Sequence, residues 1–229
     1  ESRMFKGILI EKDESGYRAA VREIDEAGLP DGNVTVRVSH STLNYKDGLA
    51  ITGKGPVVRK FPMVPGIDLA GIVEESLSPE FGPGDAVVVI GYDLGMNTPG
   101  GYGEYVRVPA NWMAKLPPQL TAYESMMLGT AGFTAAMAVE ALQWHEVMSQ
   151  QGEILVTGAT GGVGSVAVAL LAQLGYDVVA ATGKLQETSF LHALGAKSVI
   201  HRDELVDPSS KALLRERWAG VVDAVGGPM

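Results

Sequence analysis

The sequence predicts an α/β protein in two parts: a mostly antiparallel, barrel-like β domain, then a parallel sheet with crossover helices. Three observations carry that expectation. Up to about residue 122 the chain is a run of short strand patterns punctuated by Pro, Gly and Asp. From residue 153 the rhythm becomes strand, helix, strand. At the head of that second part, "VTGATGGVGSVAVALLAQLGY" passes from an apolar stretch through four glycines into a helix pattern.

The strands of the first part are read in "FKGILIEKD", "NVTVRVSHSTL", "LAGIVEES", "DAVVVIGY" and "GEYVRVP", with turns at "LPDGN" and "FGPGD". "LTAYESMMLGTAGFTAAMAVEALQ" then shifts to helix formers, with Thr121 as its N-cap and Glu124 three residues on, the spacing of a capping box. The second part follows as "EILVTG", "GVGSVAVALLAQLG", "DVVAAT", "ETSFLHALGA", "SVIHR", a polar "SSKALLRERW" and "AGVVDAVGG". These supply about four strands, where a complete two-halved nucleotide fold has six. The expectation is therefore an incomplete nucleotide fold, a piece of a longer polypeptide.

Gly158, Gly161, Gly162 and Gly164 sit between a predicted strand and a predicted helix, in the spacing G-x-x-G-x-x-G. A tight turn, close backbone approach and helix N-terminal N–H groups suit a dinucleotide pyrophosphate. Thr160, Gly161, Gly162 and Val163 are the contacts expected from this loop. A site for NAD usually places an acid at the end of the second strand to hold the ribose 2′-hydroxyl. Here that strand ends in Thr182, Gly183 and Lys184, and Asp177 belongs to its other end. A hydroxyl and a cation suit a 2′-phosphate instead, and Arg202 adds a second cation after the third strand. NADPH is the expected cofactor.

Several classes are excluded by the totals. The 229 residues are 46% hydrophobic and 20% charged, enough for one large or two modest cores. A net charge of -9 argues against a broad face for nucleic acid or anionic lipid. The absence of cysteine removes disulfides and thiolate metal sites. No basic-then-apolar leader opens the sequence, and its most apolar windows are short for a membrane span. The expectation is a soluble, cytoplasmic protein.

"LNYKDGLAITGKG", "FPMVPGIDLAGIV", "GTAGFTA", "GEILVTGATGGVGSVAVALLAQLGY" and "HRDE" resemble, in order and spacing, the medium-chain dehydrogenase/reductase superfamily. Within it they are similar to the zinc-free, quinone-oxidoreductase-like branch, and there to the NADPH-dependent acrylyl-coenzyme A reductases. The resemblance implies a GroES-like catalytic domain over residues 1–123 and a Rossmann domain over 124–229, its C-terminal part absent. A homodimer is expected. Zinc-dependent relatives carry a cysteine where this chain has Asn44, and Gly-His-Glu where it has Gly66-Ile67-Asp68. Ile67 cannot ligate a metal, and His40, His145, His192 and His201 show no ligand spacing. No metal is expected.

Hydride transfer without a Lewis acid needs an acceptor that is already activated, such as an enoyl thioester or an enone. The protein must then orient the reactants, stabilise an enolate and allow protonation at the α carbon. The resemblance places Tyr45 near cofactor and substrate, as proton donor or anchor, with Asn44 as an amide donor; the competing reading of Tyr45 is a rim aromatic. Lys46 and Asp47 read as structural. "GTAGFTA" begins the helix of the cofactor domain, and Thr134 is assigned a cofactor contact. Arg59 and Lys60 read as solvated loop cations rather than as contacts to coenzyme A phosphates. Three functions stand: reduction of acrylyl-coenzyme A to propionyl-coenzyme A, reduction of a quinone or enal on the same scaffold, and NADPH binding without catalysis.

Overall fold

The computed structural model describes residues 2–206 and 215–227. Contacts divide it into two units, residues 1–130 and 131–229. In the first unit, β1 (Met4–Asp13) and β2 (Gly16–Asp25) form an antiparallel hairpin in continuous register from Met4↔Asp25 to Asp13↔Gly16. β3 (Val34–Ser41), α1 (Tyr45–Thr52), β4 (Asp68–Ser76), β5 (Ala86–Ile90), β6 (Tyr105–Val108) and β7 (Met113–Lys115) follow. The sheet order is β6-β3-β4-β5-β7, all antiparallel. Alternation in these strands sends Val34, Val36, Leu69, Val73, Val87, Val89, Val106 and Val108 into one core, all nearly or wholly inaccessible.

The predicted strands of this unit form, and three elements join them. β2 has no clear apolar alternation and remains largely exposed. β7 is three residues long. α1 is short and contains Gly48, so a helical period has no room to show.

The capping box is present as expected: Thr121 N–H donates to Glu124 Oε2 at 2.8 Å, and Glu124 N–H returns to Thr121 Oγ1 at 3.1 Å. It opens α2 (Ala122–Trp144), 23 residues long, whose most apolar 18-residue stretch has a mean hydropathy of 1.3, long and apolar enough by composition to span a bilayer. The helix is interrupted at Gly129, with φ 52° and ψ -153°. That break leaves Thr130–Trp144 as the longer continuous piece, shorter than the about 20 residues a span requires.

The second unit is built on β8 (Ile154–Val156), α3 (Gly162–Gln173), β9 (Val178–Thr182), α4 (Thr188–Ala193), β10 (Ser198–His201) and β11 (Gly220–Val222). All pairs are parallel and the order is β10-β9-β8-β11, the 3-2-1-4 arrangement of a doubly wound sheet. Both faces are covered. Ile154, Val156, Val178 and Ala180 point to one core, and Leu155, Val179 and Ala181 to the other. "SSKALLRERW" falls mostly outside the described residues, and its described part, residues 215–218, is neither helix nor strand.

Candidate functional site

The turn from β8 into α3 answers why so many glycines are needed there. Gly158 has φ +56°, which L side chains rarely adopt. A Cβ on Gly164 would lie 2.3 Å from Gly158 O and 2.7 Å from Ala159 Cα. The closest neighbour of this backbone is the loop's own backbone, folded against the first turn of α3. Gly161 is the N-cap, and a Cβ there would stand 3.2 Å from Gly158 O; on Gly162 it would meet Ala131 Cβ at 3.0 Å. Helix geometry leaves the N–H groups of Gly162, Val163 and Gly164 without partners inside α3.

A cavity of about 560 Å³ opens beside this turn, at the carboxyl ends of the parallel strands, where open α/β sheets place ligands. Thr160, Thr182, Gly183, Lys184 and Arg202 line it, together with Thr157, Gly158, Asp203, Val225 and Gly226. Gly161, Gly162 and Val163 do not. Thr182 is only 3% exposed; its Oγ1 accepts from Lys184 N–H at 3.0 Å and lies 3.2 Å from Thr160 Oγ1. It therefore closes the strand end, fixing the backbone from which Lys184 projects.

Gly183 is the seat of Arg202: a Cβ there would lie 3.2–3.4 Å from the Nε, Cδ and Cζ atoms of Arg202. Among the described residues Arg202 has one weak acidic neighbour, Asp203, at 3.8 Å with both side chains over 70% exposed, a pair worth about 0–1 kcal/mol. Lys184 makes no ion pair among the described residues. Two cations thus face a cavity beside β9 with little internal neutralisation.

The opposite rim was not legible beforehand. Thr157 Oγ1 donates to Asp223 Oδ1 at 2.5 Å, and the same oxygen accepts from Val225 N–H at 3.0 Å and Gly226 N–H at 3.1 Å. The Thr157 hydroxyl, then the two amides, hold the Asp223 carboxyl below its ordinary range. This fixes the turn that carries Val225 and Gly226. The signal was in "VDAVGG", a second strand running into glycines of positive φ, Gly226 and Gly227.

The first unit holds the other candidate residues. Tyr45 begins α1 and is 85% exposed, with no hydrogen-bond partner among the described residues. Asn44 is the N-cap. Its Nδ2 donates to Thr42 Oγ1 at 2.7 Å and to Asp47 Oδ2 at 3.1 Å, and its backbone N–H donates to the same Asp47 oxygen at 2.8 Å. Asp47 is 1% exposed and also accepts from Ile67 N–H at 3.0 Å. It is a backbone ligand of the turn, with no ion pair to Lys46 among the described residues.

Asp68 is wholly buried beside this turn. It accepts from Thr42 Oγ1 at 2.8 Å, from Thr130 N–H at 2.8 Å and from Thr130 Oγ1, with Asn44 Nδ2 at 3.4 Å. The amide freed by the break at Gly129 is therefore capped by a carboxylate 62 residues earlier in the chain. A side chain at Gly129 would collide with Thr42 Cγ2 at 2.7 Å and Asp68 Oδ2 at 2.8 Å. Tyr102 closes the cluster, donating to Thr42 O at 2.6 Å; burial, then the negative charges of Asp47 and Asp68, push its hydroxyl well above the usual tyrosine range. No group of three or more His, Cys, Asp or Glu able to hold a metal occurs among the described residues. Thr134 lies half-buried one turn past Thr130.

A family model, the alcohol dehydrogenase GroES-like domain, matches residues 30–118. Over 228 residues the chain is 48% identical to the acrylyl-CoA reductase AcuI of Ruegeria pomeroyi, covering 99% of this chain and 69% of that protein. The chain belongs to the quinone-oxidoreductase-like medium-chain dehydrogenases/reductases. Its antiparallel unit is the GroES-like domain of that family and its parallel unit the Rossmann-like one. The crystal structure of Escherichia coli K-12 YhdH with bound NADPH superposes with a TM-score of 0.92 at 48% identity, over 96% of this chain and 68% of that one. Bacillus subtilis yhfP, solved with NAD bound, gives 0.92 at 43%, over 98% and 68%.

Proposed function

We propose that the protein reduces the carbon–carbon double bond of acrylyl-coenzyme A to propionyl-coenzyme A with NADPH. The 48% identity to an acrylyl-CoA reductase along 99% of the chain carries this reading. The cavity at the strand ends fits the cofactor: Lys184 and Arg202 suit the 2′-phosphate, Thr160 suits the pyrophosphate, and Gly183 leaves Arg202 its place. The α3 amides of Gly162 and Val163, outside the cavity lining but at the adjoining helix N-terminus, are the further donors for the pyrophosphate. Thr182 holds that strand end, and Thr134 contacts the nicotinamide side. Bound NADPH supplies the hydride.

Tyr45 offers an exposed phenol with no internal partner, free to donate to the enolate oxygen or to anchor the nicotinamide. Asn44 contributes mainly through position, since its amide nitrogen is engaged by Thr42 and Asp47 and fixes the turn that presents Tyr45. The protein acts as a cytoplasmic homodimer, without nucleic acid, membrane or metal.

A second reading, NAD(P)H-dependent quinone reduction, is favoured by 44% identity to the putative quinone oxidoreductase YhfP of Bacillus subtilis. Steady-state rates with acrylyl-CoA, crotonyl-CoA and a quinone, each with NADPH and NADH, separate the two. Rapid quinone turnover with no thioester turnover would overturn the proposal. NADPH binding without turnover of any acceptor would favour a non-catalytic role.

A further inference from the structure

A net charge of -9 makes any concentration of unpaired cations informative. Lys12, Lys54, Arg59 and Lys60 are all exposed, and none makes an ion pair among the described residues. They also share one neighbourhood. Lys12 Nζ lies 5.9 Å from the centre of the Phe61 ring, beside Lys60 in sequence. Phe61 meets Tyr17 edge to face at 5.9 Å. The Tyr17 hydroxyl donates to Ala50 O in α1, and its ring covers Gly53, where a Cβ would come within 3.1 Å of it. Lys54 follows at once. The tip of the β1–β2 hairpin, the end of α1 and the loop to Pro62 are thus stitched around one aromatic pair, with Lys12 against it and Lys54, Arg59 and Lys60 within two residues of Gly53 or Phe61 along the chain.

The acids of the same region do not neutralise them. Glu11 and Asp13 are held by Arg18 at 3.5 and 2.6 Å. Asp47 is buried and turned toward Ile67 and Asn44. Glu14 at the hairpin tip is the acid left exposed and without an ion pair among the described residues. α1 itself is the ruler between this patch and Tyr45: eight residues at 1.5 Å each separate its ends by about 12 Å. A pantetheine arm is long enough to bridge such a span.

We propose that Lys12, Lys54, Arg59 and Lys60 form the binding site for the 3′-phosphate and diphosphate of coenzyme A, with the acyl end directed along α1 toward Tyr45. This deepens the thioester reading above and rests on it. The patch recognises the nucleotide handle and leaves the acyl group to the Tyr45 end. It takes no part in the chemical step.

The test is the triple charge reversal Lys54→Glu/Arg59→Glu/Lys60→Glu, assayed with acrylyl-CoA and with the acrylyl thioester of N-acetylcysteamine, which lacks the nucleotide. The KM for acrylyl-CoA should rise by roughly 10- to 100-fold, as expected for lost charge-assisted phosphate contacts. The turnover number, the KM for NADPH and the KM for the short thioester should stay unchanged. Added salt should raise the wild-type KM for acrylyl-CoA and leave that of the variant nearly flat. An unchanged KM for acrylyl-CoA in an enzyme that reduces both thioesters would overturn the site while leaving the reaction standing. Calorimetric titration with desulfo-coenzyme A decides the matter if neither thioester is reduced. Binding to the wild type and not to the variant supports the site; no binding to the wild type, or equal binding to both, overturns it.

Discussion

Gly164→Ala is the most direct probe of the glycine turn. The added methyl would stand 2.3 Å from Gly158 O, 2.8 Å from Gly158 C and 2.7 Å from Ala159 Cα, whereas ordinary contact begins near 3.4 Å. All three obstacles are backbone, so no side chain can swing aside; α3 or the turn must move by about 1 Å. Overpacking of this kind costs about 1–3 kcal/mol, toward the upper end where the backbone must shift. Against that, alanine is favoured over glycine inside a helix by about 1 kcal/mol. The net is a loss of about 2 kcal/mol, or about 4–8 °C in melting temperature for a chain of this size. The same displacement misaligns the α3 amides, and NADPH affinity should fall at least roughly 10-fold. Gly161→Ala is the control: its methyl would sit 3.2 Å from one carbonyl oxygen, a few tenths of an ångström of adjustment. Thermal melts and NADPH fluorescence titrations of both variants read the outcome. A Gly164→Ala protein as stable as the wild type, or a Gly161→Ala protein that loses more stability, would refute the packing argument.

Four further outcomes follow from the two sites. Lys184→Ala should weaken NADPH by about 1.5–3 kcal/mol, a 10- to 100-fold rise in its KM, with NADH nearly unaffected; equal losses for both would place Lys184 away from the 2′-phosphate. Tyr45→Phe should lower turnover at saturating NADPH by roughly 100-fold if the phenol donates in the transition state, and raise the NADPH KM alone if it anchors; no change in either removes the residue from both roles. Asp68→Asn sets an amide against the Thr130 N–H and should cost about 2–4 kcal/mol in urea melts, and Asp68→Glu should not restore it because the pocket is closed. The Asp223 carboxyl sits below its ordinary range in the folded state, so its stabilising contribution is present above about pH 4 and lost as the pH falls through the folded value. Urea melts between pH 7 and pH 3 should therefore show a shallower acid limb for Asp223→Asn, and an unchanged limb would dismiss this linkage.

What could be read in advance divides along physical lines. The parallel unit was legible because its central strands, β8 and β9, are buried on both faces, giving the continuous apolar runs "ILV" and "VVAAT" between helix patterns. β2 was not, because "GYRAAVREID" lies mostly in solvent and its pairing is with β1, not with a core. α1 had a usable clue that went unread: Asn44 followed three residues on by Asp47 has the spacing of a helix N-terminus. The cations of the cavity rim were found from strand ends alone. Asp68 as the cap of a helix restarting at Thr130 was out of reach, since the bond spans 62 residues and leaves no local periodicity.

The Asp68 cluster also bears on what this scaffold can be turned into. Asn44 and Ile67 stand where the zinc-dependent pattern has a cysteine and a histidine, with Asp68 alongside, so an engineer would be tempted to rebuild a metal centre by substituting Asn44 and Ile67. Those two changes would not suffice. Both carboxylate oxygens of Asp68 already accept from Thr42 or from the first turn after Gly129, so a cation bound there would compete with the cap of that helix. Retrofitting would require a new cap for Thr130 before any ligand is installed.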